Sequence, residues 1–291
     1  MAFGSLFTGI GGLDLGLEQA GMECAWQIEW DDYCNKVLEK HWPNIRRYRD
    51  VKDCGKHNLE SVDLICGGFP CQPVSTAGKR KGKEDERWLW PEFLRIIREL
   101  RPRWVLVENV PGLLSIDSGG LFGGILRDLA QSGYDAEWDC IPAAAVGAPH
   151  LRYRIFVVAY PKAVRWSSIF RDESYRVLSS VYANSDGSRF QIGQKRNSEK
   201  EINTSDGGSQ RTNPSGFRDD MAHTKCKRLE GTRIFGAAPH RDEWWSVEPD
   251  VGRVAHGVPS RVDRLRCLGN AVVPQIAKWI GDRIIETQAI R

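Results

Sequence analysis

The chain has 291 residues, 41% hydrophobic and 27% charged, with a formal net charge of +3. That composition allows one well-filled core and a second small lobe. No apolar run reaches the roughly 20 residues of a membrane helix, no basic segment followed by an apolar stretch marks a secretory signal, and a nearly balanced charge neither demands nor forbids a nucleic-acid partner.

Ser5-Leu6-Phe7 reads as a first strand and Thr8-Gly9-Ile10-Gly11-Gly12 as a tight loop after it. Leu13, Leu17 and Ala20 then recur at helical spacing, with Gly21 placed to end the helix. Val62–Cys66, Trp104–Val107 and Ile155–Ala159 are further buried-strand candidates, and Pro91–Arg98 is a helix between two of them. This alternation predicts an open, mostly parallel α/β sheet with helices on both faces over residues 1–160.

From 161 to about 245 the chain turns rich in Ser, Asn, Asp, Gly and Arg, with few periodic apolar runs. Composition alone suggests a linker; the functional alternative is a loop-built recognition lobe. Regularity returns at 246–291, where Arg261–Leu265 leads into Gly269-Asn270-Ala271-Val272-Val273-Pro274. A closing helix carries Ile276, Ala277, Ile280 and Ile284 on one face, which is expected to dock on the first lobe. Trp244 and Trp245 suit core packing at the junction, or a base-stacking platform.

The 8 cysteines are scattered and form no Cys-x-x-Cys. Cys54-Gly-Lys-His57 has no second ligand pair, so no metal site is expected. Free thiols, mostly acting as small buried hydrophobes, are the expectation.

Three constellations suggest chemistry. In the glycine loop, Asp14 stands where a dinucleotide fingerprint has its third glycine, which disfavours a pyrophosphate. Glu29 follows at the distance at which an acid meets ribose hydroxyls, and Trp30 beside it suits an adenine. A nucleoside cofactor without phosphates fits better than a nicotinamide dinucleotide. Gly67-Gly68-Phe69-Pro70-Cys71-Gln72-Pro73 follows the second strand, so Cys71 sits at a strand's C-terminal end, where α/β ligands bind. The nearby Lys79, Arg80 and Lys81 favour a thiolate and phosphate contacts. Glu108-Asn109-Val110 comes immediately after the strand Trp104–Val107, at the same sheet edge, as an acid or hydrogen-bond partner for a base ring. Arg152 and Arg154 alternate along an extended segment and are expected to face one side.

With Phe7–Gly12, Glu29-Trp30, Asp50-Val51, Pro70-Cys71-Gln72, Glu108-Asn109-Val110, Arg152-x-Arg154 and Gly269–Pro274 in this order, the chain resembles the bacterial and phage DNA (cytosine-5) methyltransferases. The likeness covers nearly its whole length apart from about 161–245, where that family keeps its variable target-recognition region. It implies a large S-adenosylmethionine-binding α/β domain and a small, loop-rich DNA-reading domain. By position, Phe7, Thr8, Gly9, Ile10, Gly11, Gly12, Glu29, Trp30, Asp50, Val51, Pro70, Asn270, Ala271 and Val272 would hold S-adenosylmethionine, and its product S-adenosylhomocysteine. Cys71 would be the nucleophile, Glu108 the acid at cytosine N3, and Arg152 and Arg154 supporting cations. Ser75, Lys79, Arg80, Lys81 and Gly82 would belong to a loop closing over double-stranded DNA. The family usually has Gln where this chain has His150, a residue that still donates or accepts a hydrogen bond. The resemblance further implies a cytoplasmic monomer, with a cognate restriction endonuclease as a partner and no membrane association. The rivals are an RNA cytosine-5 methyltransferase, disfavoured by the missing Cys-Phe-Thr segment of that branch, a catalytically silent DNA binder, and a nicotinamide dehydrogenase.

Overall fold

In the computed structural model, which describes residues 1–70, 88–162, 170 and 260–289, strands and helices alternate as expected. Strand β1 (Ala2–Leu6) is followed by α1 (Gly12–Gln19), β2 (Glu23–Ile28), α2 (Asp32–His41), β3 (Arg46–Tyr48) and β4 (Leu64–Gly67). Then come α3 (Trp90–Leu100), β5 (Trp104–Asn109), α4 (Gly120–Gln131), β6 (Tyr134–Pro142) and β7 (Tyr153–Pro161). Helices α5 (Arg261–Asn270) and α6 (Pro274–Ala289) close the described chain. All described residues fall in one unit, Met1–Ser180 with Arg241–Arg291.

The seven strands form one sheet in the order β3-β2-β1-β4-β5-β7-β6. The first five in that order are parallel, while β7 runs antiparallel to both β5 and β6. The order reverses between β1 and β4, the kind of switch point at which open α/β sheets bind ligands.

Strand alternation divides the core into two layers. Leu64, Cys66, Trp104, Leu106, Phe156 and Val158 point to one face, where Leu13 and Leu17 of α1 meet them. Ile276, Ala277, Ile280 and Ile284 of α6 complete this layer, so the closing helix does pack on the first lobe. Ile65, Val105, Val107, Ile155 and Val157 point to the other face, against Phe93, Ile96 and Ile97 of α3 and Phe122, Ile125 and Leu129 of α4.

Local signals explain the element ends. Gly21 N–H donates to the Glu18 carbonyl and Met22 N–H to the Leu17 carbonyl, which stops α1 where the sequence placed its cap. Asp31 caps α2 by accepting from the N–H groups of Tyr33 and Cys34. Every expected strand shifts at one end or both, and two of these shifts bear on the site. Phe7 lies outside β1 with φ +55, where the chain turns into the glycine loop. Strand β5 continues through Glu108 and Asn109, because both pair with β7, opposite Phe156 and Ile155. Among the described residues no helix is long and apolar enough to cross a membrane.

Candidate functional site

Parallel strands send their C-terminal ends to one edge of the sheet. Phe7, Glu29, Arg49-Asp50, Gly68–Pro70 and Val110 therefore gather there, each following or ending β1 to β5. Strand β7 runs the other way, so its beginning, with Arg152 and Arg154, reaches the same edge.

The glycine loop is pinned from beneath. Thr8 N–H donates to the Ile28 carbonyl at 3.1 Å, and Thr8 Oγ1 lies 3.2 Å from the Ser5 carbonyl and 3.1 Å from Ser5 Oγ. The Glu29 carboxylate ties this loop to α2. Its Oε2 accepts from Gly9 N–H and its Oε1 from Asp31 N–H, both at 2.7 Å. Burial raises the Glu29 pKa, and those two N–H groups oppose the rise. A Cβ built on Gly9 would meet nothing within 4 Å among the described residues. Ile10 is partly exposed, and Trp30 is 70% exposed, lining a cavity of about 520 Å³ with Tyr33, Lys36, Arg49, Asp263 and Arg266. Asp50 accepts from Lys52 N–H and Val51 is buried.

The segment after α5 closes on this loop. A Cβ on Gly12 would stand 2.5 Å from the Val272 carbonyl oxygen, so glycine is required where Asn270-Ala271-Val272 passes α1. Arg152 reaches the same segment from β7's side, donating to the carbonyls of Leu268 (3.1 Å) and Gly269 (2.6 Å).

Glu108 is the buried acid of the edge, 7% exposed. Its Oε1 meets Arg154 Nε at 3.0 Å. Burial dominates and pushes its pKa up to about 7, although the cations of Arg154 and Arg152 pull the other way. A Cβ on Gly68 would come within 2.6 Å of Glu108 Oε2, so the Gly68 backbone runs directly against the carboxyl. Asn109 holds that backbone by donating from Nδ2 to the Phe69 carbonyl at 3.3 Å. The Phe69 ring is buried edge-on against Trp88. Cys71 follows Pro70 in the chain, but Cys71, Ser75, Lys79, Arg80, Lys81 and Gly82 lie outside the described residues, as do Trp244, Trp245 and nearly all of 161–245.

The structure thus brings together Phe7–Gly12, Glu29, Trp30, Pro70, Glu108, Arg152, Arg154 and Asn270–Val272. The two arginines both act on the charge of Glu108, and their side-chain contacts differ. Arg154 pairs with Glu108, whereas Arg152, which precedes β7, donates to α5. His150 is exposed. Sequence reasoning gave no role to Asn109 or Gly68, although both sit inside motifs it quoted. It also missed the buried carboxyl of Asp14, which accepts from Ser5 Oγ and Gln27 Nε2, both at 2.9 Å. Asp31, Cys34 and Cys267 also meet, with the two sulfurs 3.4 Å apart. There the Asp31 carboxylate is committed to capping α2 and to Arg266 at 2.6 Å.

A pinned glycine loop, an acid after the second strand and a buried carboxyl–arginine pair gather on one edge of a doubly wound α/β sheet, the edge at which that class of fold binds ligands. The chain belongs to the C-5 cytosine-specific DNA methylase family, which matches residues 1–232. The Type II methyltransferase M.BsuFI of Bacillus subtilis is 35% identical over 161 residues, covering 55% of this chain and 39% of that protein. M2.BsuMI of Bacillus subtilis (strain 168), another Type II methyltransferase, is 28% identical over 300 residues, covering 96% of this chain and 74% of its own length. The Type II methyltransferase M.HhaI of Haemophilus parahaemolyticus is 34% identical over 161 residues, covering 55% of this chain and 49% of that protein. Against M.BsuFI and M.HhaI, the matched part is half of the relative or less.

Proposed function

We propose that the protein is a DNA (cytosine-5) methyltransferase that uses Cys71 as nucleophile and Glu108 as acid on a cytosine turned out of duplex DNA. The observation that carries this reading is the Glu108–Arg154 pair with Gly68 packed against its carboxyl, three residues before Cys71 in the chain.

The residues on the cofactor side suit S-adenosylmethionine. A Cβ on Gly9 would meet nothing among the described residues, the Glu29 oxygens keep lone pairs for ribose hydroxyls, and exposed Trp30 has room beside it for a planar ring. The backbone N–H groups opening α1 favour a carboxylate. Phe7–Gly12, Glu29, Trp30, Asp50, Val51, Pro70 and Asn270–Val272 would hold it. When bound, it supplies the methyl group as an electrophile at cytosine C5.

The chain's own groups prepare that carbon. The thiolate of Cys71 adds to C6 and moves electron density onto C5 and N3. Glu108, held as an acid near neutrality by burial, gives its proton to N3 and absorbs the developing charge. Arg154 at 3.0 Å then stabilises the carboxylate left behind. Once C5 carries the methyl group, a base removes the C5 proton, the Cys71–C6 bond breaks with its electrons returning to sulfur as C5=C6 re-forms, and the N3 proton returns to Glu108, restoring the thiolate, the acid and the aromatic ring. The target atoms are out of reach in a stacked duplex, so the base must flip out, with Ser75 and Lys79–Gly82 closing over the DNA.

Residues 161–245 are the proposed reader of base edges in the major groove. A cognate restriction endonuclease, a cytoplasmic setting and a monomeric state complete the proposal. Bisulfite sequencing of plasmid DNA from cells expressing the protein, beside Cys71→Ala, tests it. Protected cytosines in one recurring context, absent with Cys71→Ala, are expected. Unprotected plasmid, despite folded protein that binds S-adenosylhomocysteine, would refute the DNA reading in favour of an RNA substrate or a silent binder.

A further inference from the structure

The last carbonyls of a helix have no partner within it and need one from elsewhere. At the end of α5, the Cys267 carbonyl is taken by Ala271 N–H at 2.9 Å. The next two, of Leu268 and Gly269, are taken by the two guanidinium nitrogens of Arg152. Helix α5 has no basic residue in its own last turn, so Arg152 supplies from β7's side the cation that a helix C-terminus favours. The chain then turns sharply to extended backbone at Ala271, φ −62 and ψ 142, and lays Val272 against Gly12. Arg152 therefore holds the hinge between α5 and the Asn270–Val272 wall of the glycine loop. Arg154, two residues on, does a different job at Glu108.

We propose that Arg152 is a positioning residue for the cofactor, acting by clamping the Leu268 and Gly269 carbonyls so that Asn270–Val272 is preformed, and that it does not serve cytosine directly. This rests on the cofactor reading above. A guanidinium is suited to the task because its fork spans two carbonyls at once, whereas an ammonium is a point donor. The same cation pulls the Glu108 pKa down, so the clamp also couples the two halves of the site.

The test is calorimetric binding of S-adenosylhomocysteine to the full chain without DNA, for wild type, Arg152→Met, Arg152→Lys and Arg154→Met, with turnover measured in parallel. Losing two charge-assisted hydrogen bonds predicts a loss in affinity of about tenfold or more for Arg152→Met. Arg152→Lys, keeping one donor head, should fall between it and wild type. Arg154→Met should stay within about twofold of wild-type affinity while losing turnover. Arg152→Met with wild-type affinity but lost turnover would overturn the proposal, as would equal affinity losses in Arg152→Met and Arg154→Met. Should Arg152→Met fail to fold, Arg152→Lys decides alone, and wild-type affinity in it refutes the clamp. Wild-type protein that binds no S-adenosylhomocysteine would instead bring down the cofactor reading, and the proposal with it.

Discussion

Glu108→Gln should make the protein's stability less sensitive to pH, in a direction opposite to that of an ordinary salt-bridged carboxylate. Burial raises the Glu108 pKa from 4.5 to about 7 in the folded chain. Folding then favours the protonated form, so the associated stability is fully present below 4.5 and is lost as pH rises through 7. At ~1.4 kcal/mol for each tenfold change in proton affinity, the loss across that window is about 3 kcal/mol. The side chain is only 10% exposed, so solvent screening takes little from this. Glutamine keeps the shape and does not titrate. It also leaves Arg154 without its carboxylate, but that penalty is nearly the same at every pH. Urea denaturation of both proteins from pH 5 to 8.5 should therefore show wild type losing about 2.5 kcal/mol relative to Glu108→Gln, since part of the loss already lies below pH 5. Parallel curves across that range would refute the placement of Glu108 as a buried, half-protonated acid. Turnover should fall by at least about a hundredfold in the variant, since its amide is a poor proton donor to N3.

Gly12→Ala should destabilise the fold by about 1–3 kcal/mol and weaken S-adenosylhomocysteine binding, because the added methyl meets the Val272 backbone; calorimetry and a thermal melt read both effects. Glu29→Ala removes the acceptor of both Gly9 and Asp31 N–H groups, so cofactor affinity should drop by about tenfold or more, and an unchanged affinity would rule out the ribose role. Asp14→Asn should fold, and be at least as stable as wild type at pH 8. Burial pushes the Asp14 pKa up to about 6, so its carboxylate is disfavoured there, and the Gln27 amide can turn to present its unpartnered Oε1. A clear drop in the melting temperature of Asp14→Asn at pH 8 would refute that account.

The half of the site that follows parallel strands was legible in the sequence. A glycine loop, an acid and a Gly-Gly-Phe-Pro run each came directly after an apolar run, and parallel pairing carries all three to one edge. The other half depended on strand direction, which an apolar run such as Ile155–Ala159 does not encode. Only the antiparallel pairing of β7 explains how residues before a strand join residues at the ends of others. The extent of β5 was hidden for a related reason. A glutamate after four apolar residues reads as the end of burial, yet pairing with β7 carries Glu108 and Asn109 into the sheet. The roles of the two arginines were equally hidden. Their spacing of two predicts one shared side but not the partners: Arg154 lies on the strand and pairs with Glu108, while Arg152 precedes it and donates to α5.

What sequence patterns find most readily is what stabilises a fold, and the carboxyls of this site do the reverse. Asp14 and Glu108 both sit buried with pKa values raised by loss of solvent, to about 6 and about 7. Each therefore costs the folded state stability as it ionises. For Glu108 the reason follows from the proposed chemistry. A carboxyl with an ordinary pKa would hold no proton for N3 at neutral pH, whereas one buried without Arg154 would bind its proton too tightly to release it. Burial pushes the proton affinity up and the cations of Arg154 and Arg152 pull it down, which brings it close to working pH. On that argument Arg154→Met should raise the Glu108 pKa and slow turnover, even though the acid itself is untouched.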